Sequence, residues 1–390
     1  MGKRLKSLLF IFCLIFVAAI SFFLGSLGSS NQATSKDYLV DKKLADIKKI
    51  IDSRYLYDID EDKMKEGIYK GYVQSLNDPY TVYYTKEEYL ALNQDTEGSF
   101  GGVGIEVNGS GPLIQVVAPI KDTPADKAGI KAGDRIFSIN GVEYTGEQMQ
   151  DAVSVMRGEP GEAVKLTILR DVNGKEEKMD FEIIREIINV ESVHSQVLDN
   201  NIGYIHITNF QAHTAEDFKK AWKELKDKNV KGIVLDLRNN PGGLLDVTIE
   251  IADMLLPEGP VMKVKYADGS EDAYNSEKEA DTTPLVTLIN GGSASASEVL
   301  SGALKDYKRG ELVGETSFGK GVVQQIIDLS DGSGVKVTMA EFFTPQGNKI
   351  HKEGIKPTIE IKLPDEVSQI GPESLKDDVQ LQKAIEILNK

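Results

Sequence analysis

The first apolar residues after the N-terminal segment repeat with the period of a helix. Two segments carry apolar residues every three or four positions, which is the spacing of one helix face: Val40, Leu44, Ile47 and Ile51, then Met64, Ile68 and Tyr72. The second segment ends near Asn77, where Asp78 and Pro79 interrupt a helix. We therefore predict a small helical region at residues 31–96.

Between residues 97 and 186 the apolar period shortens to two. Alternating segments such as residues 164–168 and 179–183 are separated by glycine-containing turns, and Asn140 with Gly141 is a tight-turn signal. This pattern predicts one small domain of strands and about two helices, at residues 97–186.

From residue 187 onward, strands alternate with helices. The segments are, in order, a strand at residues 202–207, a helix from Thr214, a strand at 232–237, a helix at 244–256 and a strand at 285–289. Strands that are apolar along their whole length are buried on both faces, as in parallel sheets covered by helices. We predict an α/β core at residues 187–365 and an amphipathic helical tail at 366–390.

The N-terminus has the pattern of a membrane segment. Three basic residues precede an uncharged stretch at residues 8–27, which is long enough to cross a bilayer. Positive flanks stay in the cytoplasm, so we expect the rest of the chain on the other side of a single-pass cell-membrane protein. Residues 1–30 are then a cytoplasmic tip with a transmembrane anchor, and cleavage within residues 25–30 would instead release a secreted protein.

Charge and cysteine content exclude several functions. The 390 residues carry a net charge of −16, which argues against a nucleic-acid partner held by its phosphates. Cys13 is the only cysteine, so the globular part has no disulfide, no thiolate metal site and no cysteine nucleophile. We predict neither a metal nor an organic cofactor.

The first candidate for chemistry is the small-residue loop at residues 290–298, which joins a predicted strand to a predicted helix. Ser295 and Glu298 form an S-x-x-E capping box there, so the serine has a purely structural explanation. A serine at a helix N-terminus also lies beside free backbone N–H groups, which can hold a developing oxyanion. The choice between a cap and a nucleophile therefore depends on finding a base.

Histidine is the usual base for a serine nucleophile. The chain has four histidines, and none lies in a glycine-rich loop or beside a second residue typical of an active site: His194, His206, His213 and His351. A triad built on His206 or His213 stays open as an alternative, because triads depend on spatial geometry that sequence order does not show.

Lys320 is the stronger candidate for the base. Gly319 and Gly321 flank it, and the apolar residues that follow predict burial. Lysine needs burial, since its ordinary pKa of about 10.4 must fall before the amine is neutral near neutral pH. Gln324, four positions later, lies on the same side in a helix or a strand and can orient the amine. The structural alternative is a solvated surface lysine.

Two other motifs overlap this loop. Residues 314–320 match G-x-x-x-x-G-K, but Gly321 stands where a P-loop has Ser or Thr, and a β-branched run follows rather than a helix. Ser317 and Lys320 match S-x-x-K, but the S-D-N and K-T-G elements of penicillin-recognising enzymes are missing. We therefore reject a P-loop and rank Ser317 below Ser295 as a nucleophile.

A pair of glycines suggests an oxyanion hole. Gly242 and Gly243 end the turn that follows the strand at residues 232–237. We predict that one of their amides, together with the amide of Ala296, binds the oxyanion.

A second glycine-rich loop suggests peptide binding. It contains the predicted binding residues Gly102, Val103, Gly104 and Ile105. Such a loop can hold a C-terminal carboxylate with its amides while the following strand edge pairs with the peptide. A glycine-rich loop alone is weak support, but residues 123–141 strengthen this interpretation because they resemble the helix, turn and strand of PDZ domains.

With these elements in one order, the chain resembles the carboxyl-terminal processing peptidases, also called tail-specific proteases. The resemblance extends over nearly all of residues 37–390 and includes the loops at residues 77–81, 236–243, 291–298, 314–324, 344–347 and 354–357. It implies a crotonase-like α/β peptidase core with an inserted PDZ domain, beside the helical region and the membrane segment.

The resemblance also implies the site residues. The family's serine falls on Ser295, its lysine on Lys320, 25 positions later, and its glutamine on Gln324. The implied activity is that of a serine endopeptidase that processes or degrades extracytoplasmic proteins after its PDZ domain has bound their C-termini. We further predict that Arg157 couples peptide binding to gating of the active site.

The predicted partners are proteins or peptides with exposed C-termini, and the membrane. Helical segments at both ends of the chain are compatible with a homodimer. An alternative of a different class is an exported PDZ adaptor that binds peptides and cleaves nothing.

Overall fold

The structure is a computed structural model that describes residues 35–390 except 278, 365 and 368. The predicted membrane segment at residues 8–27 lies outside the described residues. Among the helices that are described, none combines the length and the apolar composition needed to cross a bilayer. The chain divides into two compact units, Met1–Tyr69 and Lys70–Lys390.

The first unit is helical in its described part. Helix α1 covers Ser35–Arg54, and helix α2 covers Glu61–Gln74. Lys48 joins the two helices, because its Nζ lies 2.6 Å from the carboxylate of Glu61. Many apolar side chains of this unit are exposed, among them Ile47, Ile50, Tyr55, Leu56 and Tyr57.

Residues 82–97 form a strand and a helix rather than helix alone. Strand β1 (Val82–Tyr84) pairs with residues 334–336, and helix α3 (Lys86–Glu97) follows it. Thr85 and Glu88 form a capping box at the start of α3, and Gly98 ends it with φ of 71°. The prediction of an all-helical region therefore missed β1, because its partner strand lies about 250 residues further along the chain.

The middle domain is an antiparallel sheet with two short helices. After β2 (Ser99–Gly102) its elements are β3 (Ile105–Asn108), β4 (Ile114–Pro119), α4 (Pro124–Ala128), β5 (Arg135–Ile139), β6 (Val142–Glu143), α5 (Met149–Met156), β7 (Ala163–Val172) and β8 (Lys175–Ile184). The strand order is β3-β4-β5-β7-β8, with β6 on β5. In the described part of the chain, β3 has one paired edge and one open edge.

The two ends of this domain lie side by side. Strand β9 (Glu186–Asn189) pairs antiparallel with β2, so that Ser99 lies opposite Asn189 and Gly102 opposite Glu186. The domain therefore leaves the rest of the chain and returns to it at one place, as an insertion does.

The remaining residues form the α/β core. Its elements are β10 (Val193–Leu198), β11 (Ile202–Ile207), α6 (Thr214–Asp227), β12 (Ile233–Asp236), α7 (Leu245–Leu255), β13 (Gly259–Tyr266), β14 (Glu271–Ser276), β15 (Leu285–Ile289), α8 (Ala296–Asp306), β16 (Glu311–Gly314), β17 (Val322–Asp328), β18 (Gly334–Phe343), β19 (Ile359–Glu360) and α9 (Val379–Leu388).

The first core sheet has the order β10-β11-β12-β15-β16-β19, and its strands are parallel from β11 onward. Alternate side chains face opposite sides. Ile205 and Leu235 pack with α6, α7 and α8, whereas Tyr204 and Val234 pack with α9. The predicted parallel sheet with both faces buried is confirmed.

A second core sheet was missing from the prediction. It is antiparallel, with the order β1-β18-β13-β14 and with β17 also paired to β18. The segment between β16 and β17 crosses from one sheet to the other. The loops after β12, β15 and β16 leave the same end of the first sheet, where α/β folds place their sites.

Candidate active site

The serine loop places one of its three serines differently from the other two. Ser293 and Ser297 are fully buried, and their hydroxyl groups donate to the backbone oxygens of Leu237 (2.7 Å) and Asn240 (3.0 Å). Ser295 is half-buried and lines a cavity. Geometry therefore favours Ser295 as the reactive serine without reference to any resemblance.

The backbone of Ser295 is strained. Its φ is 54° and its ψ is −113°, a combination that is costly for a residue with a Cβ. Hydrogen bonds on both sides hold it: the N–H of Ala294 donates to the carbonyl oxygen of Asn240 at 3.0 Å, and the N–H of Ser295 donates to the carboxylate of Glu298 at 2.9 Å. Ser295 thus precedes α8 as its N-cap, as the capping box predicted, while its side chain faces the cavity.

Lys320 lines the same cavity as Ser295, which has a volume of about 380 Å³. Its side chain is half-buried, and its Nζ lies 5.2 Å from the centre of the Tyr80 ring. Burial lowers the pKa of Lys320 below its ordinary value, and the positive charge of Lys336 lowers it further, whereas Glu298 opposes the shift. A lowered pKa is the property that a lysine base needs.

The cavity has walls from two parts of the chain. The core contributes apolar side chains such as Met262, Val299 and Phe342. Helix α3 contributes Asp95 and Thr96 near its C-terminal end. A lining that combines apolar side chains with polar groups suits a peptide segment.

Gln324 lines the cavity as well, after a bulge between Val323 and Gln324 in the pairing of β17 with β18. Its side-chain amide donates to the carbonyl oxygen of Val322 at 3.1 Å. The expected spacing of four thus brings Gln324 to the same cavity as Lys320, and its role in orienting the amine stays a prediction.

The structure distinguishes the two candidate glycines of the oxyanion hole. The N–H of Gly242 donates to the side chain of Asn240 at 2.8 Å. Within the described residues, the amides of Gly243 and Ala296 donate no hydrogen bond. Gly243 also lines the cavity with Ala296 and Ser295. This arrangement favours Gly243 over Gly242 as the partner of Ala296.

None of the four histidines lines this cavity. His206 lies in β11 beside His194, with the ring centres 6.2 Å apart, and burial lowers its pKa. His213 immediately precedes α6, and the ring centre of His351 lies 6.4 Å from that of Tyr80. The triad alternative therefore has no support in the described geometry.

The predicted peptide-binding residues lie where β2 leads into β3. Gly102 ends β2, Val103 is buried, Gly104 has φ of 78°, and Ile105 begins the edge strand β3. The carbonyl oxygens of Val103 and Gly104 accept hydrogen bonds from Ala125 and Ile120, both at 2.9 Å. These bonds fix the loop next to an open strand edge.

Arg157 lies between this domain and the active-site cavity. It follows α5 directly, and its guanidinium group lies 4.4 Å from the centre of the Phe100 ring and 3.9 Å from the carboxylate of Asp95. Asp95 lines the cavity that contains Ser295. The side chain of Arg157 thus connects the end of helix α5 to the cavity wall.

Sequence reasoning missed several residues of the site. Tyr80 and Lys336 face Lys320 from other segments of the chain, and no local pattern identifies Lys336. Glu298 was interpreted only as part of a helix cap, although its carboxylate also accepts from the N–H of Lys320 at 2.8 Å. A signal was available in the tight turn at residues 77–81, which contains Tyr80.

Comparison with known proteins gives consistent results. Residues 201–361 match the family model of peptidase family S41, residues 115–170 match a PDZ domain, and residues 25–88 match the N-terminal domain of the activating protease CtpB. The carboxy-terminal processing proteases CtpA and CtpB of Bacillus subtilis are each 40% identical, over 93% and 87% of this chain and 78% and 72% of theirs. The solved structure of a photosystem II D1 C-terminal processing protease is 33% identical, with a TM-score of 0.50, over 86% of this chain and 89% of that one.

Proposed function

Because the chain belongs to peptidase family S41, among the carboxy-terminal processing serine proteases, we propose that Ser295 is its nucleophile and Lys320 its general base. The observation that carries the proposal is the cavity that Ser295 lines together with Lys320, a lysine whose pKa is lowered by burial. The core is then a crotonase-like peptidase core of the kind that the family implies.

The proposed reaction is acyl transfer. Neutral Lys320 takes the proton of the Ser295 hydroxyl as its oxygen attacks the carbonyl carbon of a peptide bond. The amides of Ala296 and Gly243 hold the negative oxygen of the tetrahedral intermediate. Protonated Lys320 then gives its proton to the leaving amine, and water later hydrolyses the acyl-enzyme. Gln324 orients the amine during these steps.

The proposed substrates are proteins with exposed C-termini. The open edge of β3 and the loop at residues 102–105 suit a peptide that adds as a further strand, with its carboxylate at the loop amides. Arg157 passes the effect of peptide binding from α5 to Asp95 in the cavity wall. Peptide binding at the PDZ domain thereby gates cleavage in the core.

The proposed location is the outer side of the cell membrane. The uncharged stretch at residues 8–27 would anchor the protein, with the peptidase on the extracytoplasmic side. The exposed apolar side chains of the first unit favour self-association as a homodimer.

The test is cleavage of an unfolded protein with an apolar C-terminus, followed by mass spectrometry. We expect Ser295→Ala to abolish cleavage while the variant keeps its fold by circular dichroism. Ser301→Ala is the matched control, because Ser301 lies in α8, which Ser295 precedes, and its hydroxyl donates to the backbone oxygen of Ser297 away from the cavity. Cleavage by Ser295→Ala would place the nucleophile elsewhere. C-terminal peptide binding by a parent protein that cleaves nothing would favour the adaptor alternative.

A further inference from the structure

The buried carboxylate of Glu298 joins the two loops that carry Ser295 and Lys320. We propose that Glu298 is a positioning residue that sets the nucleophile and the base relative to each other. This inference rests on the proposed roles of Ser295 and Lys320, and it assigns to Glu298 a function beyond capping a helix.

Four donors converge on this one carboxylate. One oxygen, Oε2, accepts from the N–H of Ser295 at 2.9 Å and from the N–H of Lys320 at 2.8 Å. The other, Oε1, accepts from the N–H of Gly319 at 2.7 Å and from the hydroxyl of Ser317 at 2.5 Å. A carboxylate only accepts and has room for about four hydrogen bonds, so its capacity is filled.

The side chain of Glu298 is fully buried. Within the described residues it forms no ion pair with a lysine or arginine, and its negative charge is balanced by one N–H at the start of α8 and by N–H and O–H groups of the lysine loop. A buried carboxylate without such bonds is costly. The loops must therefore keep their positions around Glu298 for its charge to be satisfied.

The two loops have few other connections. The serine loop joins β15 to α8 and the lysine loop joins β16 to β17, so they belong to different segments of the core. Apart from the bonds to Glu298, one backbone bond links them in the described structure, from the N–H of Phe318 to the carbonyl oxygen of Ser293 at 3.0 Å. Three of the four bonds to Glu298 come from the lysine loop.

Ser317 extends this connection to a third loop. Its hydroxyl donates to Glu298 and accepts from the N–H of Ile355 at 2.6 Å. Ser317, which sequence reasoning ranked as a second nucleophile, is buried and lies outside the cavity lining. Its place in the structure is that of a support for Glu298.

A helix cap alone does not account for this arrangement. A capping box explains the bond between Glu298 and the N–H of Ser295. It requires no contact with Gly319 or Lys320, which lie in a different loop. The amides of these two residues are aimed at a carboxylate that a simple cap would leave facing solvent.

The charge of Glu298 also acts on Lys320. The charged and titratable groups that face Lys320 are Glu298 from α8, Lys336 from β18 and Tyr80 from the turn before β1, and Asp95 of α3 lines the same cavity. Glu298 raises the pKa of Lys320, whereas burial and Lys336 lower it. The pH dependence of cleavage therefore distinguishes the effect of the Glu298 charge on Lys320 from the effect of Glu298 on the positions of the two loops.

The experiment compares Glu298→Gln, Ser317→Ala and Glu315→Gln in the full chain, using the same protein substrate. We expect Glu298→Gln to lower kcat by about 100-fold, as small misplacements of reacting groups do, with little change in KM. The acidic limb of the kcat/KM profile should move to lower pH, since loss of the negative charge lowers the pKa of Lys320. A purely structural role would not shift that limb.

Ser317→Ala keeps the carboxylate and removes one donor, so kcat should fall by roughly tenfold with the limb unchanged. Glu315→Gln is the matched control, because Glu315 lies in the same loop and its carboxylate contacts neither Ser295 nor Lys320. Its kinetics should equal those of the parent.

Several outcomes would overturn the proposal. One is a folded Glu298→Gln protein with parental kcat and an unmoved limb. If Glu298→Gln fails to fold, the kcat of Ser317→Ala tests the positioning role instead. A parental kcat in folded Ser317→Ala refutes that role. Failure of the underlying function is separate, because it would appear as cleavage by Ser295→Ala or by Lys320→Met.

Discussion

The serine loop and the lysine loop prepare their reactive groups in different ways. In the serine loop, Ser293, Ala294 and Ser297 are buried and hydrogen bonded to the backbone oxygens of Leu237 and Asn240 after β12, and these bonds hold the strained backbone of Ser295. In the lysine loop, the backbone is held by Glu298, but the properties of the amine depend on distant residues. The proposed nucleophile is positioned by backbone hydrogen bonds, whereas the proposed base acquires its lowered pKa from burial and from a nearby charge.

Replacing the base is expected to have the largest effect. Lys320→Met removes the proposed base, so kcat should fall by about 1,000-fold, within the range for loss of general base catalysis. Steady-state cleavage of the protein substrate measures this effect. Activity in Lys320→Met close to that of the parent would show that another group is the base.

The same substitution should stabilise the fold at neutral pH. Because burial lowers the pKa of Lys320 from its ordinary 10.5, the unfolded chain binds a proton there more readily than the folded protein. The cost to stability is complete below the lowered pKa and disappears as pH rises toward 10.5. Tm should therefore rise in Lys320→Met, and the gain should shrink at alkaline pH. Lys263→Met, at an exposed position in β13, is the control and should show no such pH dependence.

Distorting the serine loop is expected to have the next largest effect. Gly242 has φ of 107°, and a Cβ there would lie 2.9 Å from both the carbonyl oxygen of Ala294 and the Cβ of Ser295. We expect Gly242→Ala to lower kcat by about 100-fold, comparable to loss of an oxyanion donor. Gly291→Ala is the matched control in the same region, since a Cβ at that exposed glycine has no atom within 4 Å. Equal kinetics in the two variants would contradict the close approach.

Changing the surroundings of the lysine should have a smaller effect. Lys336 lowers the pKa of Lys320 through its positive charge, so Lys336→Gln should raise that pKa. The acidic limb of kcat/KM then moves to higher pH, and the rate at pH 7 falls by roughly threefold to tenfold. Lys349→Gln, at an exposed lysine outside the cavity, should leave the profile unchanged. A limb that stays in place in Lys336→Gln would rule out this charge effect.

Breaking the connection between the PDZ domain and the cavity should have the smallest effect. Arg157→Gln removes the contacts with Phe100 and Asp95 without touching Ser295 or Lys320. We expect cleavage of a short internal peptide to be unchanged, and the advantage of a substrate with a bindable C-terminus to fall by about threefold. Arg135→Gln breaks a surface ion pair with Glu176 inside the domain and is the control. An unaltered preference in Arg157→Gln would remove it from the gating mechanism.

Much of the fold could be predicted because its strands are locally distinctive. The segments Ile202–Ile207 and Leu285–Ile289 are strands with the predicted bounds, since a parallel strand buried on both faces is apolar at nearly every position. The second core sheet was missed. Its strands include β14, which is mostly exposed, and β1 of three residues, so neither has the pattern of a buried strand.

The candidate site also contains residues that the sequence identifies and residues that only the structure identifies. Local motifs made Ser295 and Lys320 candidates, the family resemblance selected Ser295 among the three serines of its loop, and the structure brings both residues to one cavity. Tyr80 and Lys336 could not be identified as neighbours of Lys320 from local motifs, because they approach it from the turn before β1 and from β18. The choice between Gly242 and Gly243 also needed the structure, since it depends on which amide Asn240 accepts from.

The sequence by itself determined the reactive residue types, their order and the elements that carry them, because turn chemistry and apolar periodicity are local properties. Tertiary structure decided what those residues can do. It buried Lys320 beside Lys336, which lowers its pKa, and it aimed amides of two separate loops at Glu298. Charge interactions and hydrogen bonds act over a few ångströms in space, so they depend on which distant segments the fold brings together.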